Sequence, residues 1–321
     1  MEAATGAAPL RPAPAPAPAA HSGWRRTDRF FVGVCWATGI LLCLIAGSLV
    51  LFMLFKGLQY LSLNLLTTHP VSDLDQSKTG GFLDPLIGTV VLAVLGTLNA
   101  LPLGVGAAVW LTEYGRPSWL ARAVESGIEM VAGTPSIVLA IFGLLLFSQQ
   151  FLSFLSFTAA GNAVFGRSFF AAGAMMSLIA LPLIFGATRA ALQAIPGHVR
   201  EASYALGKTK AATIRRVLLP MSREGVATGT ALGMGRIAGD TAIVVILLGA
   251  TLRLQGVGDV PVLGTLRGTG STLTSYVYNN SPAGEGNAPD KAYAAAFVLL
   301  MVVIALNFGI DLITSRRARR A

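Results

Sequence analysis

Two charged residues in an otherwise apolar stretch are the clearest chemical signal in the sequence. Arg236 and Asp240 lie within residues 225–252, which are rich in glycine. A charge inside a membrane is costly unless it has a function or a partner, and a guanidinium is a planar fork of donors that suits an oxyanion. Two interpretations stay open. Either the two side chains form an i,i+4 ion pair that fixes helix packing, or Arg236 borders the path of an anionic solute and Asp240 tunes or positions it.

The same stretch carries a packing signal. Gly225, Gly229 and Gly233 recur at every fourth residue, so they share one face of a helix and let another helix approach closely in lipid. Arg236 and Asp240 fall in the same angular sector. We therefore expect both charges to face protein or a water-filled path rather than lipid.

A second chemical signal lies in residues 201–207, which read EASYALG and are followed by a basic segment up to residue 220. A short helix that presents one acid and small side chains suits docking into a cleft on a soluble partner. The alternative is an interfacial amphipathic helix that lies on anionic lipid.

Other motifs fail on spacing or context. Gly207-Lys208-Thr209 resembles the end of a phosphate-binding loop, but position 202 is alanine where that loop needs glycine, and no strand precedes it. A loose dinucleotide fingerprint at 233–238 sits inside an apolar helix. The three histidines are isolated from one another and from the two cysteines. We expect no metal, no cofactor and no catalytic residue in this chain.

The elements that position these residues are membrane-spanning helices. Of the 321 residues 54% are hydrophobic and 12% are charged, and the mean hydropathy is +0.66. Soluble globular chains carry about 25% charged residues, so the composition argues against a soluble enzyme, a disordered chain and a nucleic-acid-binding domain. The sequence predicts an all-α polytopic membrane protein with six spans of about 20 or more residues: 31–55, 85–111, 128–147, 168–188, 225–252 and 292–313.

The basic residues indicate the topology. Segments 1–30, 112–127, 189–224 and 314–321 hold 17 of the 24 Lys and Arg residues, whereas the alternate segments hold six. The positive-inside rule then places both termini in the cytoplasm and makes 268–290 a polar external loop. The net charge of +9 is accordingly a topology signal, not a sign of a nucleic-acid partner.

At residues 201–220 the sequence resembles the EAA loop of ABC importer permeases. That loop reads Glu-Ala-Ala, three residues, Gly, nine residues, Ile, one residue, Leu-Pro. The spacing matches at every element, with Ser203 in place of the second Ala and Val217 in place of Ile. Three further stretches resemble the phosphate-specific permeases of the PstA type, which commonly carry Glu at the position of Asp240: LTEYGR at 111–116, TPSIV at 134–138 and RIAGDTA at 236–242.

The resemblance covers roughly residues 30–315, and it implies the type I ABC importer fold for a multi-pass protein of the inner (plasma) membrane. It implies a first span with an external loop at 31–83 and a transmembrane transport domain at 84–315 that includes the cytoplasmic loop 189–224. Outside the resemblance lie a basic cytoplasmic tail at 316–321 and a Pro/Ala-rich cytoplasmic tail at 1–30, for which the five prolines in 9–18, alternating with small residues, predict disorder.

The resemblance also implies a function: import of inorganic phosphate, driven by ATP that other subunits bind and hydrolyse. The implied partners are a paralogous permease of the PstC type, two copies of a PstB-type ATPase, a PstS-type external phosphate-binding protein and membrane lipid. The implied site residues form two groups, a coupling helix with Glu201, Ala202, Ser203 and Gly207, and a solute path with Arg236, Asp240 and Thr241.

Two other functions are alternatives to phosphate import. The same architecture could carry another oxyanion, such as molybdate, sulphate or phosphonate, because the external binding protein largely selects the solute. An intramembrane enzyme, such as a lipid-modifying transferase, would need clustered catalytic groups. The sequence offers only Glu113, Glu125 and Glu129 for that role, without a His or Cys partner.

Overall fold

The computed structural model describes residues 26–71, 80–115, 118–156, 165–249, 254, 261–282, 284 and 288–318, and no β-strand occurs among them. The α-helices there, in chain order, are α1 Arg26–Tyr60, α2 Leu63–Thr67, α3 Leu83–Val109, α4 Trp119–Gly133, α5 Ser136–Phe147, α6 Phe169–Gln193, α7 Gly197–Ala205, α8 Lys210–Thr213, α9 Leu219–Met221, α10 Arg223–Gly239, α11 Ala242–Leu247, α12 Pro261–Arg267, α13 Leu273–Asn280 and α14 Pro289–Ala318.

Four of the predicted spans are helices that are long and apolar enough to cross a membrane: Thr27–Tyr60, Leu83–Tyr114, Phe169–Gln193 and Pro289–Thr314. The prediction of six continuous spans is not met in the described residues. The third predicted span comprises α5 and the end of α4, two helices that meet at an angle of 108° and together make at most a fifth span. The fifth predicted span is divided into α10 and α11, because the chain leaves the helical conformation at Asp240.

The chain divides into two units, Met1–Leu51 and Phe52–Ala321. In the first unit the described residues belong to α1, whose span has none of its most apolar window buried within the chain. This helix begins at Arg26, so residues 26–30 are helical and not part of the predicted disordered tail. Residues 1–25 lie outside the described part of the chain.

The core of the second unit is built around α6, which packs against α3 and α10. Large side chains fill the centre, among them Leu92, Met176, Ile184 and Ile237, and each of these is almost fully buried. Both α3 and α6 contain an internal proline, which membrane helices tolerate because neighbouring groups satisfy the freed backbone carbonyls.

Small residues set the distance between α6 and its neighbours. A methyl group added at Gly229 would lie 2.9 Å from the Cβ of Ala187 and 3.0 Å from the Cα of Ile184. Gly225 and Gly233 also face α6, against Ala191 and Ala180. The predicted glycine packing face of α10 is therefore confirmed, and α6 is its partner.

Helix α13 lies inside residues 268–290, which were expected to form a polar external loop. It is largely buried, and several of its polar groups have hydrogen-bond partners. The side chains of Thr272 and Ser275 form a reciprocal capping box, and the Thr89 hydroxyl on α3 accepts a hydrogen bond of 2.8 Å from the Leu273 amide. Polar composition alone thus gave the wrong environment for this segment.

The close contact at Gly229 predicts opposite effects for two glycine-to-alanine changes. Gly229→Ala forces α6 and α10 apart and should lower thermal stability, since overpacking costs about 1–3 kcal/mol. Gly106→Ala, on the exposed side of α3 with nothing within 4 Å, should be neutral or stabilising, because alanine favours a helix over glycine by about 1 kcal/mol. Thermal unfolding of both variants in detergent tests the contact, and equal melting temperatures would contradict it.

Candidate functional site

The predicted site residues form two groups that lie at opposite ends of α10. The coupling residues belong to α7 and the turn after it, before α10 begins at Arg223. Arg236 is in the last turn of α10, and Asp240 and Thr241 follow its end. With 17 residues and a rise of 1.5 Å per residue, α10 separates its two ends by about 25 Å.

The turn after α7 explains the need for glycine at position 207. Gly207 has φ of +74°, and its amide donates to the Tyr204 carbonyl at 2.9 Å. The Lys208 amide donates to the Ser203 carbonyl at 3.2 Å. These two bonds are a Schellman motif, which ends a helix by placing one residue in the left-handed conformation. Since nothing lies within 4 Å of a Cβ at this position, the requirement is conformational and not steric.

One side of α7 is open. Glu201, Ala202, Tyr204 and Leu206 are all exposed, and Leu206 is 78% exposed. An acid, a small side chain and two large apolar side chains on a nine-residue helix make a compact surface that a partner can cover.

The other side of α7 is fixed to the chain by Ser203, the residue that departs from the EAA pattern. Ser203 is buried, and its hydroxyl donates to the Thr213 hydroxyl at 2.8 Å. The Thr213 hydroxyl in turn donates to the Thr209 carbonyl at 3.1 Å. This chain of hydroxyls joins α7 to α8, so serine here has a defined partner rather than being a neutral replacement for alanine.

An ion pair that the sequence did not reveal holds α7 to the end of α3. The Glu113 carboxylate accepts a hydrogen bond of 3.1 Å from Nε of Arg200 and forms a salt bridge of 3.0 Å with Nη2, and the Glu113 side chain is 6% exposed. The same guanidinium donates to the Ile195 and Leu192 carbonyls at 2.8 and 3.0 Å, beyond the end of α6 and in its last turn. Removing one partner of such a buried pair costs about 3–5 kcal/mol.

Glu113 lies in an unusual stretch of backbone. Residues Trp110–Tyr114 continue α3 as a π-helical turn, and the Gly115 amide donates to the Trp110 carbonyl at 2.8 Å. Lys210 of α8 donates to the Glu113 carbonyl, and its Nζ lies 4.6 Å from the centre of the Tyr114 ring. Glu113 and Tyr114 of the LTEYGR motif thus anchor the segment that follows α6. The sequence showed the motif but not these contacts.

The carboxylates considered for an intramembrane enzyme have structural partners. Glu113 pairs with Arg200, and Glu125 of α4 pairs with Arg189 of α6. Glu129 is exposed on α4. Because two of the three acids are neutralised by arginines, the arrangement does not provide a general acid and base facing a common substrate.

Asp240 occupies the break between α10 and α11. Its carboxylate accepts from the Ile243 amide at 3.0 Å, which caps the start of α11, and its own carbonyl accepts from the Thr274 hydroxyl at 3.3 Å. Asp240 is 6% exposed, whereas Thr241 beside it is half-buried. The short carboxylate therefore satisfies the backbone where the helix is interrupted.

Arg236 is exposed and makes no hydrogen bond or ion pair with any residue that the structure describes. The i,i+4 pair with Asp240 does not form, since α10 ends between the two residues and the carboxylate turns to α11. Arg236 lies in the same angular sector of α10 as the three glycines, but its side chain is exposed, whereas Gly229 and Gly233 are buried against α6. The ion-pair interpretation is therefore not met in the described residues, and the solute-path interpretation stays a prediction.

Metal binding has no support in the described ranges, where no three His, Cys, Asp or Glu side chains are grouped to hold an ion.

Comparison with known proteins identifies the family. Residues 100–321 match the binding-protein-dependent transport system inner membrane component family. The chain belongs to this family. It is a multi-pass membrane protein with the type I ABC importer permease fold.

Two relatives show the same kinship. A protein of Pasteurella multocida called phosphate transport system permease protein PstC is 31% identical over 247 residues, which are 72% of this chain and 74% of the relative. The phosphate transport system permease protein PstA 1 of Mycobacterium tuberculosis is also 31% identical over 247 residues, which are 77% of this chain and 75% of the relative. The resemblance to phosphate permeases is thereby confirmed, and both permease types share it.

A solved structure supports the fold. The permease of a bacterial ABC transporter involved in the import of the acidic polysaccharide alginate superposes with a TM-score of 0.59 and 16% identity, covering 91% of this chain and 96% of that one. At this identity the likeness concerns the fold alone.

The left-handed turn at position 207 gives a local prediction. Gly207→Ala should destabilise the end of α7 by roughly 1–2 kcal/mol, the cost of placing an L-residue in that conformation. Amides of residues 203–209 should then exchange hydrogen about 5–30 times faster. Gly197→Ala, at the start of the same helix with nothing within 4 Å, is the control and should leave these rates unchanged. Equal exchange in the two variants would refute the conformational requirement.

Proposed function

We propose that the chain is the transmembrane permease subunit of an ATP-driven importer of inorganic phosphate. The observation that carries the proposal is α7, a short exposed helix with Glu201 and Ala202 on its open side, fixed on its other side to the ends of α3 and α6. Such a helix suits a cleft on a motor subunit. The names of the relatives point to phosphate as the solute.

The energy source is a separate subunit. The sequence contains no complete phosphate-binding loop, so ATP is bound and hydrolysed by two copies of a PstB-type subunit. One copy docks on Glu201, Ala202 and Leu206 of this chain, and the other docks on the partner permease. A PstC-type permease completes the path, and a PstS-type protein delivers phosphate from outside. The coupling loop lies in the cytoplasm together with both termini, in keeping with the basic residues around it.

The solute path includes Arg236, Asp240 and Thr241. Arg236 supplies a guanidinium with no partner in the described chain, which suits a phosphate oxyanion. Asp240 fixes the break that follows α10, and Thr241 stands beside it with its side chain partly accessible. Binding must stay weak enough for release, because transport needs the solute to leave.

The transport step follows from the two groups of residues. ATP-driven closure of the motor subunits moves the docked α7 helices of both permeases as rigid bodies. The ends of the path then open alternately, since each state exposes the solute site to one side of the membrane. Arg236, about 20 Å from the start of α10, meets the solute while ATP is hydrolysed on the partner subunits.

The choice of oxyanion is settled by uptake. Cells that lack this chain should lose uptake of labelled phosphate and regain it with the gene restored. Loss of molybdate, sulphate or phosphonate uptake with phosphate uptake intact would instead assign the chain to an importer of that other oxyanion.

The docking role of α7 predicts that Glu201→Ala weakens ATPase binding or coupling. Membrane insertion should remain normal, because the Glu201 side chain is exposed and makes no contact that holds the fold. Co-purification of the ATPase subunit and phosphate uptake measure the effect. Glu224→Ala, an exposed acid in the first turn of α10, is the matched control and should behave as wild type. Full transport with normal coupling in the Glu201 variant would count against the assignment.

The path role of Arg236 predicts that Arg236→Gln abolishes phosphate uptake while the complex still assembles. The side chain has no partner among the described residues, so its loss should not disturb packing. Arg223→Gln, at the other end of the same helix, tests whether any loss of positive charge on α10 has this effect. Retained uptake in the Arg236 variant, or failure of that variant to assemble, would remove Arg236 from the path.

A further inference from the structure

Arg200 and Glu113 form a connection that no motif assigns. Arg200 lies three residues before Ser203, so the two share the inner side of α7, opposite the face that carries Glu201 and Ala202. Its guanidinium makes three hydrogen bonds, one to the Glu113 carboxylate and two to carbonyls at the end of α6, and it forms a salt bridge with the same carboxylate. One side chain of α7 thus touches α3 and α6 together.

We propose that this pair, called the clasp hereafter, is the mechanical link that carries the movement of α7 to α3 and α6 during transport. The proposal rests on the proposed function, because it assumes that α7 is moved by a motor subunit. Arg200 and Glu113 are positioning residues: they touch neither the solute nor ATP.

The geometry favours a stiff link over loose packing. Apolar contacts allow neighbouring helices to slide, whereas three directed hydrogen bonds and a salt bridge made by one planar group restrict both distance and angle. Buried apolar residues from the ends of α3 and α6 and from the coupling segment keep water away: Ala108, Phe185, Leu192, Ile195, Ile214 and Leu218. Rotation of α7 therefore has to move the two long helices with it.

Two further features lie at the clasp. Lys210 of α8 donates a hydrogen bond to the Glu113 carbonyl, and Arg200 of α7 binds the Glu113 carboxylate. Residue 113 is therefore bound through both its backbone and its side chain. Glu113 lies within the π-helical turn Trp110–Tyr114, and a second π-helical turn, Ile214–Leu218, begins directly after α8. Such turns interrupt the regular helix ladder and mark places where a helix changes direction.

The clasp requires arginine and not only positive charge. Arg200 reaches Glu113 through Nε and Nη2 and the carbonyls through Nη1 and Nη2, which no single ammonium can do. Arg200→Lys keeps the charge and removes the fork, whereas Glu113→Gln keeps the shape and removes the charge. Both variants should therefore weaken the interaction between positions 113 and 200, while a polar side chain of similar length remains at each position.

The test uses the complete importer in proteoliposomes and measures phosphate imported per ATP hydrolysed. Glu113→Gln and Arg200→Lys should lower this ratio severalfold while the ATPase subunits stay bound. Amides of α7 should exchange hydrogen about tenfold faster in both variants, because a hydrogen bond to a charged group is lost. A Glu113→Gln/Arg200→Lys double variant should be no worse than the single ones, since the two changes break one interaction.

Glu125→Gln is the matched control. It breaks the ion pair between Glu125 of α4 and Arg189 of α6. No residue of α7 takes part in that pair, so the transport ratio should be unchanged. An equal fall of uptake and ATP hydrolysis in the clasp variants would overturn the proposal. Loss of the ATPase subunits would overturn it too, because the pair would then be needed to form the docking surface and not to transmit movement.

The wild-type complex separates this proposal from the proposed function. If wild type shows no ATP-dependent phosphate uptake, the function is wrong whatever the clasp variants do. If wild type transports and the clasp variants keep its ratio, the function stands and the clasp is only structural.

Discussion

Close packing of α6 against α3 and α10 is the constraint on which the rest of the structure depends. In lipid, apolar side chains gain nothing by facing protein instead of acyl chains, so helices associate where small residues let their backbones approach. Gly229 against Ala187 is such a contact, and Gly104 against Ile184 does the same between α3 and α6. Once these contacts form, the ends of α6 are fixed, and with them the residues that follow.

The functional groups are placed by the ends of these packed helices. The last turn of α6 supplies a carbonyl for Arg200, and the π-helical end of α3 supplies Glu113. At the far end of α10, Asp240 closes the break by capping α11. The packed centre is almost wholly apolar, whereas charged side chains lie at both ends, Glu113 and Arg200 at one and Arg236 and Asp240 at the other. This arrangement separates the proposed docking surface from the proposed solute path.

Local spacing predicted the parts that depend on local backbone. The four long spans follow from apolar runs, and the glycine face of α10 follows from a four-residue repeat. Contacts between distant segments were out of reach. Glu113 and Arg200 are 87 positions apart, so no periodicity joins them. The helix break at Asp240 was missed because a capping carboxylate and a paired charge look alike in a sequence.

The exposed apolar surface of helix α1 determines how the protein must be made and purified. Its most apolar window has a mean hydropathy of 2.5 and no residue buried within the chain. An exposed apolar helix of this length aggregates in water, so the polypeptide has to enter the bilayer during synthesis. Purification likewise needs a detergent micelle that is large enough to cover this helix when the lipid is removed.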